Sequence, residues 1–535
     1  MSKPKTLVAK LALVLAILML AAACANAEKN TNETNEGNPP ADESSNPSGG
    51  SSQDEEPIQI SWLSWNGPEG DDSPVQQYLE ERFNVKIKNV RLERAQWQQQ
   101  LNIKLAAKEI PDVFWLWSSE EIDMYAKQGV LAELPVDLIK EKMPRYSEDV
   151  DQGDPNLWKY ALVEGESYAI PLYWPDGQTP FLPGYNESWL KAIGYDHPPT
   201  TLEEFEDVLY KFRNDDPDGN GVKDTYGMTA RAKDALPQAF NVVFNAFGIV
   251  PPYDNMFFYD QEDNITFSMI TEEARQAFKL LHKWYEDGVI DPEFITTDYT
   301  KMRQDFANGR VGVIDPGLWY HHQNVFEPEF KAVNPEQDYV VGQPLNGPNG
   351  EPGKGLSYGL KNNYIGMGIQ VEGDTKKRDK IFEILEALAT DEETYLMASY
   401  GREGIDYTME DGGVVPIPEY VDSQVRGAEI GAGPYYGLFM TKSFPMLKHD
   451  LPKVKSDYKS NVTEGVPTFS NAVMGNVPEL AAYPDLKKLS DSYFMKFILG
   501  EVDLDKGFDD FVELWKKSGG QEVLEAAGEV AQSLN

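Results

Sequence analysis

Three observations predict an α/β fold in two lobes for this 535-residue chain. From Ile58 onward, short strand-like stretches alternate with apolar stripes at helical spacing, the pattern of a mostly parallel sheet with helices on its faces. The roughly 480 residues after position 56 exceed one hydrophobic core, because single cores stop growing near about 250–300 residues. Aromatic residues make up 12% of the chain, with 11 Trp and 27 Tyr, and a disordered chain is poor in such side chains.

The elements follow in chain order. Lys3, Lys5 and Lys10 lead into a wholly apolar run, Leu11 to Ala23, whose last three residues are alanine. A basic front, 13 apolar residues and a small-residue end make a secretory leader, too short to span a bilayer. Cys24, the single cysteine, follows at once, in the place where a bacterial lipoprotein accepts diacylglycerol. Residues 1–23 are expected to be a removed signal peptide. The remainder is expected to be exported, free of disulfides, and held through lipid on Cys24 at the outer face of the membrane. Residues 24–56 are rich in Asn, Glu, Ser, Gly, Pro and Thr and can bury no core. They predict a flexible tether with a reach of roughly 30 Å.

Beyond the tether, Ile58 to Ser64 reads as a strand running into the loop Trp65-Asn66-Gly67-Pro68. Val75, Tyr78, Leu79 and Phe83 mark a helix, Val85 to Val90 a strand, Trp97, Leu101 and Leu105 a helix, and Asp112 to Trp117 a strand. Thr201-Leu202-Glu203-Glu204 is a capping box opening a helix through Phe205, Val208, Leu209 and Phe212. Thr271 opens another, with Ala274, Phe278, Leu281 and Tyr285 on one stripe and Gly288 as its stop. Arg310 to Ile314 and Tyr364 to Val371 are strands, and helices dominate after Arg378.

The formal charge of −40 argues against nucleic acid as a partner, since phosphate recognition requires basic stripes. It also argues against a polyanionic ligand. Asp216-Pro217-Asp218-Gly219-Asn220-Gly221-Val222-Lys223-Asp224 begins a calcium-loop pattern. Oxygens of Asp216, Asp218, Asn220 and Asp224, with the Val222 carbonyl, stand at alternate positions suited to one hard cation. A structural Ca2+ is expected there, although Thr225 and Gly227 stand at positions 10 and 12 of the loop, where a glutamate is usual. Gly355-Leu356-Ser357-Tyr358-Gly359 spells a nucleophile-elbow motif without the strand before and helix after that it requires. The five histidines show no zinc spacing.

Sugars combine apolar C–H faces with hydroxyl rims, so their sites pair flat aromatics with carboxylates and amides. Trp65, Trp115, Trp117, Trp174 and Trp319 all fall at or just past predicted strand ends, where α/β sheets bind ligands. Asp176 and Glu403 are candidate hydroxyl acceptors. Trp97, Trp189, Trp284 and Trp515 fall on helix faces and read as core.

Several segments in order resemble family 1 extracellular solute-binding proteins, the maltose-binding type. These are Ile110–Trp115 (IPDVFW), Tyr125–Leu134 (YAKQGVLAEL), Gly165–Pro171 (GESYAIP), Tyr185–Leu190 (YNESWL), Pro199–Phe205 (PTTLEEF) and Asn308–Val313 (NGRVGV). Tyr400–Thr408 (YGREGIDYT) resembles a segment of the larger lipoprotein subgroup in Gram-positive soil bacteria. The resemblance implies a type II periplasmic-binding-protein fold: two α/β lobes with a hinge and an interlobe ligand cleft. On that pattern, residues 57–180 and 306–370 form the first lobe, and 181–305 and 371–535 the second. Trp115 and the pair Trp319-Tyr320 stand where such relatives line a sugar groove. The implied role is a monomeric receptor, not an enzyme, that captures an oligosaccharide and delivers it to the permease subunits of an ABC importer. Alternatives are a surface enzyme acting on polysaccharide, and a receptor for a peptide or other non-sugar solute.

Overall fold

In a computed structural model of the chain, the described residues are 56–93, 96–252, 257–260, 262–317, 330, 331, 333, 335, 339–439, 444–449, 451–469, 472, 473 and 477–534. They belong to the second of two compact units, residues 56–535; the first is 1–55. The leader, Cys24, the tether up to residue 55, Trp319 and Tyr320 lie outside the described residues.

The first stretch builds most of one sheet. β1 (Ile58–Leu63) buries Ile60, Trp62 and Leu63. α1 (Pro74–Phe83) starts where the Ser73 side chain accepts from Gln76 N and stops at Asn84, whose φ of 51° turns the chain. β2 (Val85–Val90), α2 (Trp97–Ala106), β3 (Val113–Leu116), α3 (Ser119–Lys127) and β4 (Ala169–Tyr173) follow. Every residue of β3 and β4 is buried, as expected for strands covered on both faces.

The second stretch builds a separate sheet. It comprises β5 (Gly184–Asn186), α4 (Leu202–Asn214), β6 (Tyr226–Met228), α5 (Asn241–Ala246), α6 (Glu272–Glu286), β7 (Val311–Ile314) and β8 (Tyr339–Val341). The expected caps are present. Thr201 accepts from Glu204 N, while the Glu204 carboxylate reaches back to Thr200 N at 2.8 Å, one residue beyond the usual box. Gly288 ends α6 at φ 68°, in the left-handed region.

β9 (Lys361–Met367) then returns to the first sheet, followed by α7 (Thr375–Thr390) and α8 (Glu392–Tyr400). Sheet one runs β2-β1-β3-β9-β4, and sheet two runs β8-β5-β7-β6. β1 is parallel to β2 and β3, whereas β9 is antiparallel to both β3 and β4. The last stretch carries α9 (Lys453–Thr463), α10 (Asp485–Ile498), α11 (Phe508–Trp515) and α12 (Gln521–Leu534).

Two large hydrophobic cores form among the described residues, with three smaller clusters beside them. One joins β1–β4, β9 and α7 with Ile430 to Phe439; the other joins β5–β7 and α4–α6 with α10–α12. Trp189, Trp284 and Trp515 are buried in the second, as their helical positions predict. Two of the expected lobe assignments are corrected. Val311–Ile314 joins the second sheet, pairing with β5 and β6, not the first. Residues 371–439 contribute to the first core, where Ile381, Ile384, Leu385 and Leu388 of α7 pack, not the second. Local periodicity identifies an element but says nothing of which sheet its apolar face will meet.

Candidate functional site

Strand direction decides where the site forms. The C-terminal ends of β1, β3 and β4 and the start of β9 share one edge of the first sheet. In chain terms that edge is Trp65 after β1, Trp117 after β3, Asn362 and Asn363 in β9, and Trp174 after β4. Such an edge is the ordinary ligand position of open α/β sheets.

Four tryptophans gather there. Trp65 lies 6.1 Å from Trp117 and 6.4 Å from Trp115, between ring centroids; Trp115 and Trp117 are 5.8 Å apart, and Trp97 stands edge-on to Trp117 at 5.9 Å. Tilted and edge-to-face pairs of this kind are each worth about 0.5–1.5 kcal/mol beyond simple burial. Trp65 and Trp117 are half-buried, whereas Trp115 is 2% exposed and Trp97 5%. Trp115, expected as a ligand contact, is thus buried here. It lies inside β3, which is covered on both faces, so only the residue past the strand end can reach the edge. Trp115 and Trp97 are the support, and Trp65 and Trp117 form the platform.

Distant segments fix that platform. Trp62 Nε1 donates to Tyr435 O at 2.7 Å, the Tyr435 hydroxyl donates to Trp62 O at 2.6 Å, and Ser64 Oγ donates to Pro434 O at 3.0 Å. These bonds hold the exit of β1. Trp117 N donates to Glu121 Oε2 at 2.7 Å, and Trp117 O accepts from Asn363 Nδ2 at 2.9 Å. Burial, only partly offset by the Trp117 N–H, pushes the Glu121 carboxyl up to about 7.

The other half of the edge is a crossing between the cores. Trp174 N donates to Leu360 O, Tyr358 N to Gly177 O and Phe181 N to Leu356 O, each at 2.8 Å. Two connecting segments thus pair side by side. A Cβ on Gly177 would stand 2.4 Å from Gly359 O, so only glycine allows this approach. The Trp174 ring stacks on Tyr358 at 6.0 Å, and Phe181 meets Tyr358 edge-on at 5.1 Å. Ser357, the serine of the elbow-like motif, lies in this crossing and donates to Gly177 O at 3.0 Å.

Asp176 and Glu403 depart from expectation. Asp176 is buried and forms an ion pair with Lys459 of α9, so its carboxylate pins a third connecting segment and is not an open acceptor for hydroxyls. Glu403 lies on an exposed turn beside the bidentate Arg402–Asp406 pair. Burial first, and then the Glu403 carboxylate, push the neighbouring Tyr407 hydroxyl up to about 12. Sequence reasoning passed over Glu121, Tyr358, Asn362 and Asn363. The Asn-Asn pair just before a predicted strand was the available signal.

The acidic loop follows α4 directly, with Asp216 at φ 49°, Gly219 at 70° and Gly221 at 77°. Asp216 accepts from Asn220 N and Gly221 N at 3.1 and 2.9 Å. The Asn220 amide donates to Asp218 at 2.8 Å and to Asp224 at 3.3 Å. Burial, and then the neighbouring carboxylates of Asp216 and Asp224, hold the Asp218 carboxyl above its ordinary range despite an opposing backbone N–H bond. Thr225 is buried, and its hydroxyl donates to Phe212 O at 2.7 Å, so position 10 supplies no ligand. Among the described residues, no group of three or more His, Cys, Asp or Glu is placed to hold a metal ion. The donor types fit a hard cation, but here the carboxylates converge on the Asn220 amide.

The chain is similar to known proteins. The family model for bacterial extracellular solute-binding proteins matches residues 66–395. The chain is 28% identical over 506 residues to lipoprotein LipO of Bacillus subtilis strain 168, covering 92% of this chain and 95% of that protein. Its structure is similar to an ABC-transporter-associated, HMO-binding solute-binding protein of Bifidobacterium longum infantis (TM-score 0.68, 18% identity, covering 89% of this chain and 98% of that one). It is also similar to the ABC-transporter substrate-binding protein FusA of Streptococcus pneumoniae in complex with kestose (TM-score 0.67, 18% identity, 89% and 98%). An EF-hand mutant of FusA with fructo-nystose aligns at the same TM-score, 0.67, with 17% identity over 89% and 99%. The fold is the two-lobed α/β architecture of these proteins, with a hinge and a ligand cleft between the lobes.

Proposed function

Because the chain belongs to the bacterial extracellular solute-binding proteins, we propose that it captures an oligosaccharide and hands it, chemically unaltered, to the permease subunits of an ABC importer. The observation that carries the ligand class is the platform: two half-buried indoles, Trp65 and Trp117, resting on two buried ones. Flat apolar faces suit the C–H face of a sugar ring, and nearby amides and carboxyls suit its hydroxyl rim. Trp174 extends the aromatic surface toward the hinge; Trp319 and Tyr320, which lie outside the described residues, are proposed as ligand contacts from the sequence resemblance alone. Closure is a hinge motion about the paired segments Trp174–Phe181 and Leu356–Leu360 and the α9 segment.

Lipid on Cys24 holds the protein at the extracellular face of the cell membrane, as in Gram-positive bacteria, and residues 25–56 let the body reach its permease. The leader, the single cysteine and the likeness to a lipoprotein support this. Among the described residues, no helix is long and apolar enough to cross a membrane. Asp216, Asp218, Asn220, Val222 and Asp224 would hold a structural Ca2+, which would relieve the repulsion between their carboxylates.

Titrating tryptophan fluorescence with kestose, maltotriose and tri-galacturonate tests the reading. Saturable one-to-one binding, with the sugar recovered intact, is expected. Cleavage of a sugar would make the protein an enzyme, and no response to any of the three would remove the platform as a sugar site.

A further inference from the structure

The start of β9 contains an irregularity at the middle of the site edge. On the β4 side, Lys361 pairs with Tyr173 and Tyr364 with Pro171, so three steps along β9 match two along β4. One residue is extra, a bulge formed by Asn362 and Asn363. Bulges re-aim side chains and are over-represented next to functional sites. This one sits between Trp117, just past the neighbouring β3, and Trp174, just past β4.

The two asparagines behave differently. Asn363 donates its amide to Trp117 O at 2.9 Å and so helps set the platform. The Asn362 amide nitrogen is buried and has no hydrogen-bond partner. The residue as a whole is only half-buried, at the ligand-facing end of the sheet. A buried donor left without a partner is costly, and an apolar side chain of similar size would avoid that cost. Packing alone therefore gives no reason for an amide. A ligand does: one carboxamide offers a donor and an acceptor side by side, the complement of two neighbouring hydroxyls on a sugar ring.

We infer that Asn362 is the specificity-determining residue of this site, reading the configuration of adjacent hydroxyls on the sugar that lies across Trp65 and Trp117. The inference rests on the oligosaccharide reading and adds to it which residue discriminates. Aromatic stacking is tolerant of sugar identity, because most pyranose rings offer an apolar face. A site built to hydrogen-bond a hydroxyl rejects an analogue lacking that group far more strongly than an apolar pocket rejects a misfit. The platform supplies affinity and the bulge supplies choice.

Asn362→Ala and Asn362→Asp are compared with the parent protein by calorimetric titration of kestose, maltotriose and tri-galacturonate, alongside thermal melts without sugar. In Asn362→Ala the preferred probe should weaken by about tenfold or more, and the spread of affinities among probes should narrow. Asn362→Asp, which keeps an acceptor and loses the donor, should retain part of the preference. Melting without sugar should stay the same or rise in Asn362→Ala, because an unpaired buried donor has been removed. A structural role predicts the opposite, a lower melting point with the ranking of probes intact. That outcome, or affinities within about twofold of the parent, overturns the inference while leaving the sugar site standing. If the parent protein binds none of the probes, the oligosaccharide reading fails and this inference falls with it.

Discussion

The tryptophan edge and the acidic loop are both candidate sites, yet they are assembled in opposite ways. The edge draws Trp65, Trp97, Trp117 and Asn363 from four separate stretches, and the bonds that fix it join residues as far apart as Trp62 and Tyr435. The loop spans nine consecutive residues: the bonds of Asp216, Asp218 and Asn220 stay inside Asp216–Asp224, and Lys223 ties it only to Arg213 and Asn214 at the adjacent end of α4. A site built from distant segments inherits the rigidity of the core beneath it. A site built locally needs its own brace, which the proposed cation would supply. Changes under the edge should therefore cost fold stability or affinity, and changes in the loop should matter chiefly through the ion.

The sharpest test of that contrast is Trp115→Ala. Emptying a buried indole position under the platform should cost about 3–5 kcal/mol of folding free energy, read from urea unfolding. A loss below about 1 kcal/mol would mean that Trp115 is not the support described here. Trp65→Ala comes next and should act on binding: an affinity loss of roughly 100-fold for the preferred sugar, with a smaller stability change than at Trp115. Equal stability losses at the two positions would erase the distinction between platform and support.

Chelation probes the loop. With calcium at about 100 times its dissociation constant, linkage contributes about 2.7 kcal/mol, so EDTA should lower the melting temperature by several degrees. Asp218→Asn should abolish that difference. A melt indifferent to EDTA would remove calcium from the account.

The smallest effect is a pH slope. Glu121 has its folded pKa raised to about 7 from an unfolded value of about 4.5. Its contribution is fully present below the unfolded value and is lost as pH rises toward 7, because the buried neutral acid must then ionise. The parent should melt progressively lower between pH 5 and pH 7.5, and Glu121→Gln should flatten part of that decline. Parallel curves would show that Glu121 does not titrate in this window.

Legibility in the sequence follows the same division. Thr201, Thr271 and Gly288 announced their helix ends, and the loop spacing announced itself, because each depends on neighbours within a few residues. The strand ends bearing tryptophans were legible for the same reason. Which indole would be covered was not, since Trp115 and Trp117 differ only in whether β3 has ended. Nor was the partner of Asp176, because Lys459 comes from a helix 283 residues further on. The placement of β7 and α7 failed similarly: an apolar stripe says that a face will be buried, not against which core.

Small-angle scattering, recorded with and without saturating oligosaccharide and followed by chromatography of the released sugar, tests the central claim most directly. A two-lobed receptor that clamps its guest should give a smaller radius of gyration with sugar than without, and return the sugar whole. Superimposable profiles under every sugar that binds, or fragments in the released material, would contradict it.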